Sequence, residues 1–172
     1  MKYVSLFTLL GVLAHGVALA DSYAGAVAGV SFVRIDSASF DVINAGLAFG
    51  HRANNGFGVE FDMRTGVAGD DDDDVKMEMD WQASSYLTYS GVFNRRALLT
   101  LGGGYATTRL DSSVQGSAFP GKQDFNGPAF LLRLEEQMIN HPNIVLSLSY
   151  QHFYLDGDVS IQNASFGVTY DF

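Results

Sequence analysis

Residues 159–172, VSIQNASFGVTYDF, alternate without a break to the last residue of the chain. Gln162, Ala164, Phe166, Val168, Tyr170 and Phe172 fall on one side of an extended strand. Asn163, Ser165, Gly167, Thr169 and Asp171 fall on the other. Side chains of a strand point alternately to its two faces, so this segment divides an apolar surface from a small and polar one. Chain ends of soluble domains usually fray, which makes a terminal Phe within an apolar stripe unusual there. A barrel that meets lipid outside and not inside has a use for both faces.

The first twenty residues, MKYVSLFTLLGVLAHGVALA, have a positive start at Lys2, an apolar middle and small residues at the exit. That is the plan of a secretory signal peptide, with cleavage expected between Ala20 and Asp21 and a single domain over 21–172. Gly11, His15 and Gly16 interrupt the apolar run, which argues against a membrane anchor. No Cys is present, so disulfides cannot staple the exported domain. Ten Lys and Arg stand against nineteen Asp and Glu, a formal net charge of −9. This balance argues against nucleic acid as a partner, since phosphates demand clustered Lys and Arg. No later stretch is long and apolar enough for a transmembrane helix, and barrel strands need none.

Eight alternating segments can be drawn, an all-β pattern. The first, from Tyr23 to Val33, sets Gly25 and Gly29 on one face. The second carries Ala45, Leu47 and Phe49 outward and Asn44, Gly46, Ala48 and Gly50 inward. In the third, Phe57, Val59, Phe61 and Met63 alternate with Gly58, Glu60, Asp62 and Arg64. The fourth places Met77, Met79, Trp81, Ala83 and Leu87 outward against Glu78, Asp80, Gln82, Ser84 and Tyr86. The fifth sets Leu99, Leu101 and Tyr105 against Thr100, Gly102 and Gly104. The sixth sets Phe130, Leu132, Leu134 and Met138 against Arg133, Glu135 and Gln137. The seventh sets Ile144, Leu146, Leu148, Tyr150 and Tyr154 against Ser147, Ser149 and Gln151.

Connections near 53–56, 91–94 and 139–143 are short, and the first has a tight-turn signature in Asn54-Asn55-Gly56. Two of the alternate ones, 68–76 and 111–126, are long. Bacterial barrels have short periplasmic turns and longer outer loops, so both termini are expected in the periplasm. A periplasmic β-sandwich is the competing architecture. Pairing around Asn54-Asn55 would put Gly50 near Glu60, Ala48 near Asp62 and Gly46 near Arg64. Small residues opposite long charged ones suit a narrow lumen, not an open polar face. The predicted fold is an eight-stranded antiparallel up-and-down transmembrane β-barrel.

On the opening YAGAVAGVSF, the central LTLGGGYAT and the ending ASFGVTYDF, the mature chain resembles the small outer-membrane barrels of the OmpA/OmpX type. That resemblance implies the outer membrane of a Gram-negative bacterium, a monomer in contact with lipid and lipopolysaccharide, and no cofactor. It also implies that Phe166, Val168, Tyr170 and Phe172 form the signal read by the barrel-assembly machinery. Nothing follows Phe172, so a peptidoglycan-binding domain is not expected.

An unpaired buried charge is expensive, so inward polar groups must satisfy one another. The candidates are Glu60, Asp62, Arg64, Glu78, Asp80, Arg96, Arg133 and Glu135, with Arg64 expected opposite Asp80 or Glu78. This set reads as a plug that stabilises the lumen, and a narrow ion path is the alternative. No metal centre is expected. Asp70, Asp71, Asp72, Asp73 and Asp74 offer oxygen ligands for a divalent cation, or a bridge through one to lipopolysaccharide, without the spacing of an ordered loop. His51 and His152 read as interfacial aromatics. A lipid A-modifying enzyme is a further alternative, but Tyr154 stands two residues after His152 where a nucleophilic Ser would be needed. The expected role is therefore non-enzymatic, in envelope integrity or in surface interaction through outer loops such as that bearing Phe119 and Phe125.

Overall fold

The computed structural model describes residues 21–35, 38–72, 75–94, 96–114, 121–156 and 159–172; the expected signal peptide lies outside them. Every regular element among them is a strand: β1 (Asp21–Ile35), β2 (Ala38–Arg52), β3 (Phe57–Ala68), β4 (Asp70–Asp72), β5 (Val75–Val92), β6 (Ala97–Val114), β7 (Lys122–Met138), β8 (His141–Asp156) and β9 (Val159–Asp171). β3 and β4 are two parts of one stave, interrupted at Gly69, and both pair with β5. Neighbouring staves are antiparallel throughout, and β1 pairs with β9, closing eight staves into a ring. At the seam the Phe172 N–H donates to the Ser22 carbonyl at 2.9 Å, which ties the last residue into the wall.

On β3 and β9 the two faces are those that the alternation predicts. On β3, Glu60, Asp62 and Arg64 are buried inside, while Phe57 and Met63 stand exposed on the outer wall. Phe166, Val168, Tyr170 and Phe172 are likewise exposed along β9. The register of β2 on β3 is the one expected, with Gly46 opposite Arg64, Ala48 opposite Asp62 and Gly50 opposite Glu60. The turn between them closes through Gly56 N–H to Ala53 O at 2.9 Å, with Gly56 at φ +86°, a conformation that favours glycine.

The two long connections are mostly strand, not loop. β6 runs on to Val114 and β7 starts at Lys122, while Asp70–Asp72 pair with Val75–Met77. Pairing satisfies the backbone while the charged side chains project to water, so extension costs little. Phe119, Asp73, Asp74 and the side chains of Asp72 and Tyr154 lie outside what is described.

Away from the termini the ring divides. The β2–β3 ladder ends at Ile43 and Ala68, and the β7–β8 ladder ends at Phe130 and His152. Beyond those points β8-β9-β1-β2 and β4-β5-β6-β7 continue as two separate four-stranded leaves. Three register breaks lie at this level, leaving Val67, Asp80 and Phe153 as extra residues. A β-bulge of this kind bends its strand and shifts the phase of everything past it.

Candidate functional site: a charged lumen beneath an apolar cap

In the half of the barrel nearest the termini, Glu60, Arg133 and Glu135 come together with Tyr23 and Arg52. The Tyr23 hydroxyl donates to Glu60 Oε2 at 2.5 Å, and Arg133 holds the same oxygen at 2.5 Å through Nη1. Arg133 Nη2 donates to the Tyr23 oxygen at 3.2 Å. Arg52 grips both oxygens of Glu135 at 2.8 and 3.0 Å, and the Thr100 hydroxyl donates to Glu135 at 2.6 Å. Arg133 Nε lies 3.6 Å from Glu135, close enough for an ion pair and too far for a hydrogen bond, so that N–H has no acceptor.

One layer further from the termini, Arg64 binds Asp62 side-on with two contacts of 2.7 Å. Its remaining nitrogen donates to Asn163 Oδ1 at 2.6 Å and to Asn44 Oδ1 at 3.3 Å. Both amides donate in turn to Ser31 Oγ at 2.9 Å. Three carboxylates and three guanidinium groups thus share the interior, and their charges cancel. Such a set resists the loss of any one member, because the partner left behind keeps its burial without its counter-charge.

Glu78, Asp80 and Arg96, predicted for this network, are not in it. Met77 and Met79 point inward instead, and Glu78 pairs on the outside with Lys76 at 2.5 Å. The cause is the bulge at Asp80: one extra residue inverts the two faces of β5 beyond it. Asp80 itself receives Lys122 at 2.6 Å on the outer surface, so Arg64 has Gln82 opposite it and not an acid. Arg96 stands exposed in the β5–β6 turn, just before the first residue of β6. Tyr23 and Arg52 were missed, because the small residues of β1 hide its phase and Arg52 lies at the very end of β2.

Above the charged layers the interior changes character. Val33, Phe40, Val42, Phe153 and Ile161 of one leaf meet Met77, Met79 and Leu110 of the other, none more than 4% exposed. Full burial of such side chains is worth about 1.5–3 kcal/mol each. This apolar cap packs the leaves together where their edges are unpaired. Outside it, Arg109 binds Asp124 at 2.6 and 2.8 Å and lies 5.5 Å over the Trp81 ring. The Asp70 carboxylate accepts from the Asp41 N–H at 2.8 Å across one gap between the leaves.

Among the described residues no group of three His, Asp or Glu side chains is arranged to hold a metal. Ser22 Oγ lies 3.0 Å from His51 Nδ1, and no carboxylate among the described residues orients the imidazole from its other nitrogen. His152 faces outward between Phe130 and Gln162.

The architecture has close parallels among solved structures. Ail of Yersinia pestis, crystallised with the heparin analogue sucrose octasulfate, superposes with a TM-score of 0.61 at 20% identity, covering 89% of this chain and 99% of Ail. Neisserial surface protein A gives 0.60 at 17% identity, covering 88% of this chain and 97% of that one. The N-terminal barrel of Pseudomonas aeruginosa OprF gives 0.60 at 13%, covering 89% and 97%. No curated protein matches the chain in sequence. The family described as outer membrane protein beta-barrel domain matches residues 5–172, which fits a lipid-facing wall around a charged lumen: the chain belongs to that outer-membrane family.

Proposed function

We propose that the protein is a non-enzymatic, non-conducting outer-membrane barrel that presents its two-leaved end at the cell surface, with both termini in the periplasm after removal of residues 1–20. The observation that carries this reading is the apolar cap. Eight side chains, none more than 4% exposed, stand across the lumen where an ion would have to leave it. Hydrophobic constrictions of this kind oppose the entry of water and ions. No acid among the described residues stands behind the Ser22–His51 contact, which supports a role other than hydrolysis, since a nucleophile needs an oriented base.

The far end then serves contact with the surroundings. Lipopolysaccharide is its nearest neighbour, and the Asp70–Asp74 run, with Asp71 exposed, offers carboxylate oxygens for a divalent-cation bridge to it. Ail was crystallised with a sulfated sugar. Here Lys76, Arg109 and Lys122 are each engaged by a carboxylate, and Arg34 is the exposed cation of this end without an ion pair among the described residues, which offers little to a comparable polyanion. The chain acts as a monomer, and Phe166, Val168, Tyr170 and Phe172 serve recognition by the assembly machinery.

The test is single-channel recording in planar bilayers combined with surface proteolysis of intact cells. The expected result is no unit conductance and cleavage confined to the hairpin tips. Discrete ion conductance from the folded wild-type protein would overturn the non-conducting reading, and cleavage at the termini would reverse the orientation.

A further inference from the structure

Every pairing around the ring except one joins staves that follow one another in the chain, so the segment between them limits its register. The exception is the seam, where β1 meets β9 from opposite ends of the barrel. Alternation excludes a seam slipped by one residue, because that would turn the apolar side chains of one strand into the lumen. A slip of two residues leaves every side chain on its proper face, so the lipid-facing pattern does not forbid it. Discrimination against that slip has to come from the fit inside.

The lumen side of the seam interlocks by size. Gly25 stands opposite Thr169, Val27 opposite Gly167 and Gly29 opposite Ser165. A Cβ on Gly25 would lie 2.6 Å from Thr169 Cγ2, one on Gly29 2.6 Å from Ser165 Cβ, and one on Gly167 3.1 Å from Val27 Cγ1. None of these three glycines has a positive φ, so close approach and not a turn calls for them. A polar pair comes next along the seam, Ser31 opposite Asn163. Ser31 Oγ accepts from Asn163 Nδ2 and from Asn44 Nδ2, each at 2.9 Å, and all three residues are fully buried.

A two-residue slip in either direction breaks this match. One direction sets Val27 against Thr169, two branched side chains where a glycine gave room, and moves Asn163 to Val33. The other moves Asn163 to Gly29 and sets Ser31 against Ile161. Close-packed interiors resist both overfilling and voids. In both cases the Asn163 amide also leaves Ser31, and a buried amide without its partner is costly.

We propose that these four facing pairs form a register key, which lets the ring close in one alignment of β1 on β9 and rejects the alignments two residues away. The key acts in assembly, so it goes beyond the surface role and depends on neither conductance nor orientation.

The test is disulfide trapping across the seam, in a chain that has no Cys of its own. Ala26 faces Val168 on the outer wall, so Ala26→Cys with Val168→Cys reports the native register. Ala26→Cys with Phe166→Cys, or with Tyr170→Cys, reports the two slipped ones, since a disulfide needs Cα atoms within about 7 Å. In barrels folded into phosphatidylcholine vesicles and oxidised with copper phenanthroline, the native pair should cross-link about tenfold more than either slipped pair, or better. Gly167→Val should cut the native cross-link about tenfold, whether the seam slips or stays open, and adding Val27→Gly should restore it by exchanging the large and small partners. Ser31→Ala with Asn163→Ala should raise the slipped cross-links about tenfold. A native cross-link undiminished by Gly167→Val would overturn the proposal. So would a double variant no better than the single one, or slipped pairs that stay silent without Ser31 and Asn163. None of these readouts involves conductance, so the surface-barrel reading stands or falls separately.

Discussion

Arg64 and Asn163 are 99 residues apart in sequence and meet at 2.6 Å inside the barrel. The contact joins β3 to β9 across the lumen, so it can form only once the ring has closed. Arg64 is also the side-on partner of Asp62, which is 1% exposed. Arg64→Leu leaves that carboxylate buried without its counter-charge, held only by the long contact from Gln151 Nε2 among the described residues, at an expected loss of about 3–5 kcal/mol. Urea unfolding in lipid vesicles measures it. Adding Asp62→Leu to the same protein should recover part of the loss, since no solitary charge remains.

The cap gives a second expectation. Phe153 is the extra residue of the β8 bulge and is 1% exposed between the leaves. Phe153→Ala opens a cavity, with an expected loss of about 3–5 kcal/mol. Amide hydrogen exchange should accelerate in the far parts of β1, β2 and β9 and remain slow around Glu60 on β3. Uniform acceleration would mean that the two halves unfold as one.

Glycines of the two surfaces should respond in opposite ways. A Cβ on Gly46 would sit 2.8 Å from Arg64 Cγ and closer still to the β3 backbone, whereas one on Gly103 meets nothing. Gly46→Val is expected to abolish the compact, heat-modifiable form seen on gels. Gly103→Leu should keep it.

The outer ion pairs carry a pH signature. The hydrogen bond from Arg109, helped by its charge and opposed by desolvation, holds the Asp124 carboxyl below the usual aspartate range. A carboxyl lowered in the folded state contributes stability above its unfolded pKa and loses it as pH falls through the folded value. Carbon-13 NMR titration of the folded protein should therefore place the Asp124 midpoint below that of a free aspartate. Arg109→Gln should return it to the ordinary value.

Much of this architecture is legible in the chain. Strict alternation announces the faces of β3 and β9, and Asn54-Asn55-Gly56 sets the β2–β3 register that puts Gly46 against Arg64. Asp80 could not be read that way. A bulge adds one residue without a residue type of its own, and the predicted inward run of Glu78 and Asp80 simply continued the phase of Gln82 and Ser84. Arg96 was placed inside by extending a strand through its turn. Phe40 and Phe153 escaped notice for a different reason. An apolar residue facing inward contradicts the rule that holds within the membrane, and the sequence contains no mark of where that rule ends.

The structure contains that mark. Along seven strands in turn, Ser31 gives way to Val33, Asn44 to Val42, Gln82 to Met79, Thr108 to Leu110, Gln151 to Phe153 and Asn163 to Ile161, while Arg64 on β3 is followed by Gly66 and the exposed Val67. On one side of this line greasy side chains look outward; on the other, ion pairs do. A barrel with a single pattern from end to end could ride higher or lower in its bilayer at little cost. This one cannot: sinking by one layer would push Glu78, Asp80 and Lys122 into hydrocarbon, and rising would lift Phe130 into water. The inversion works as a waterline drawn on the hull, and it fixes the depth at which the protein floats.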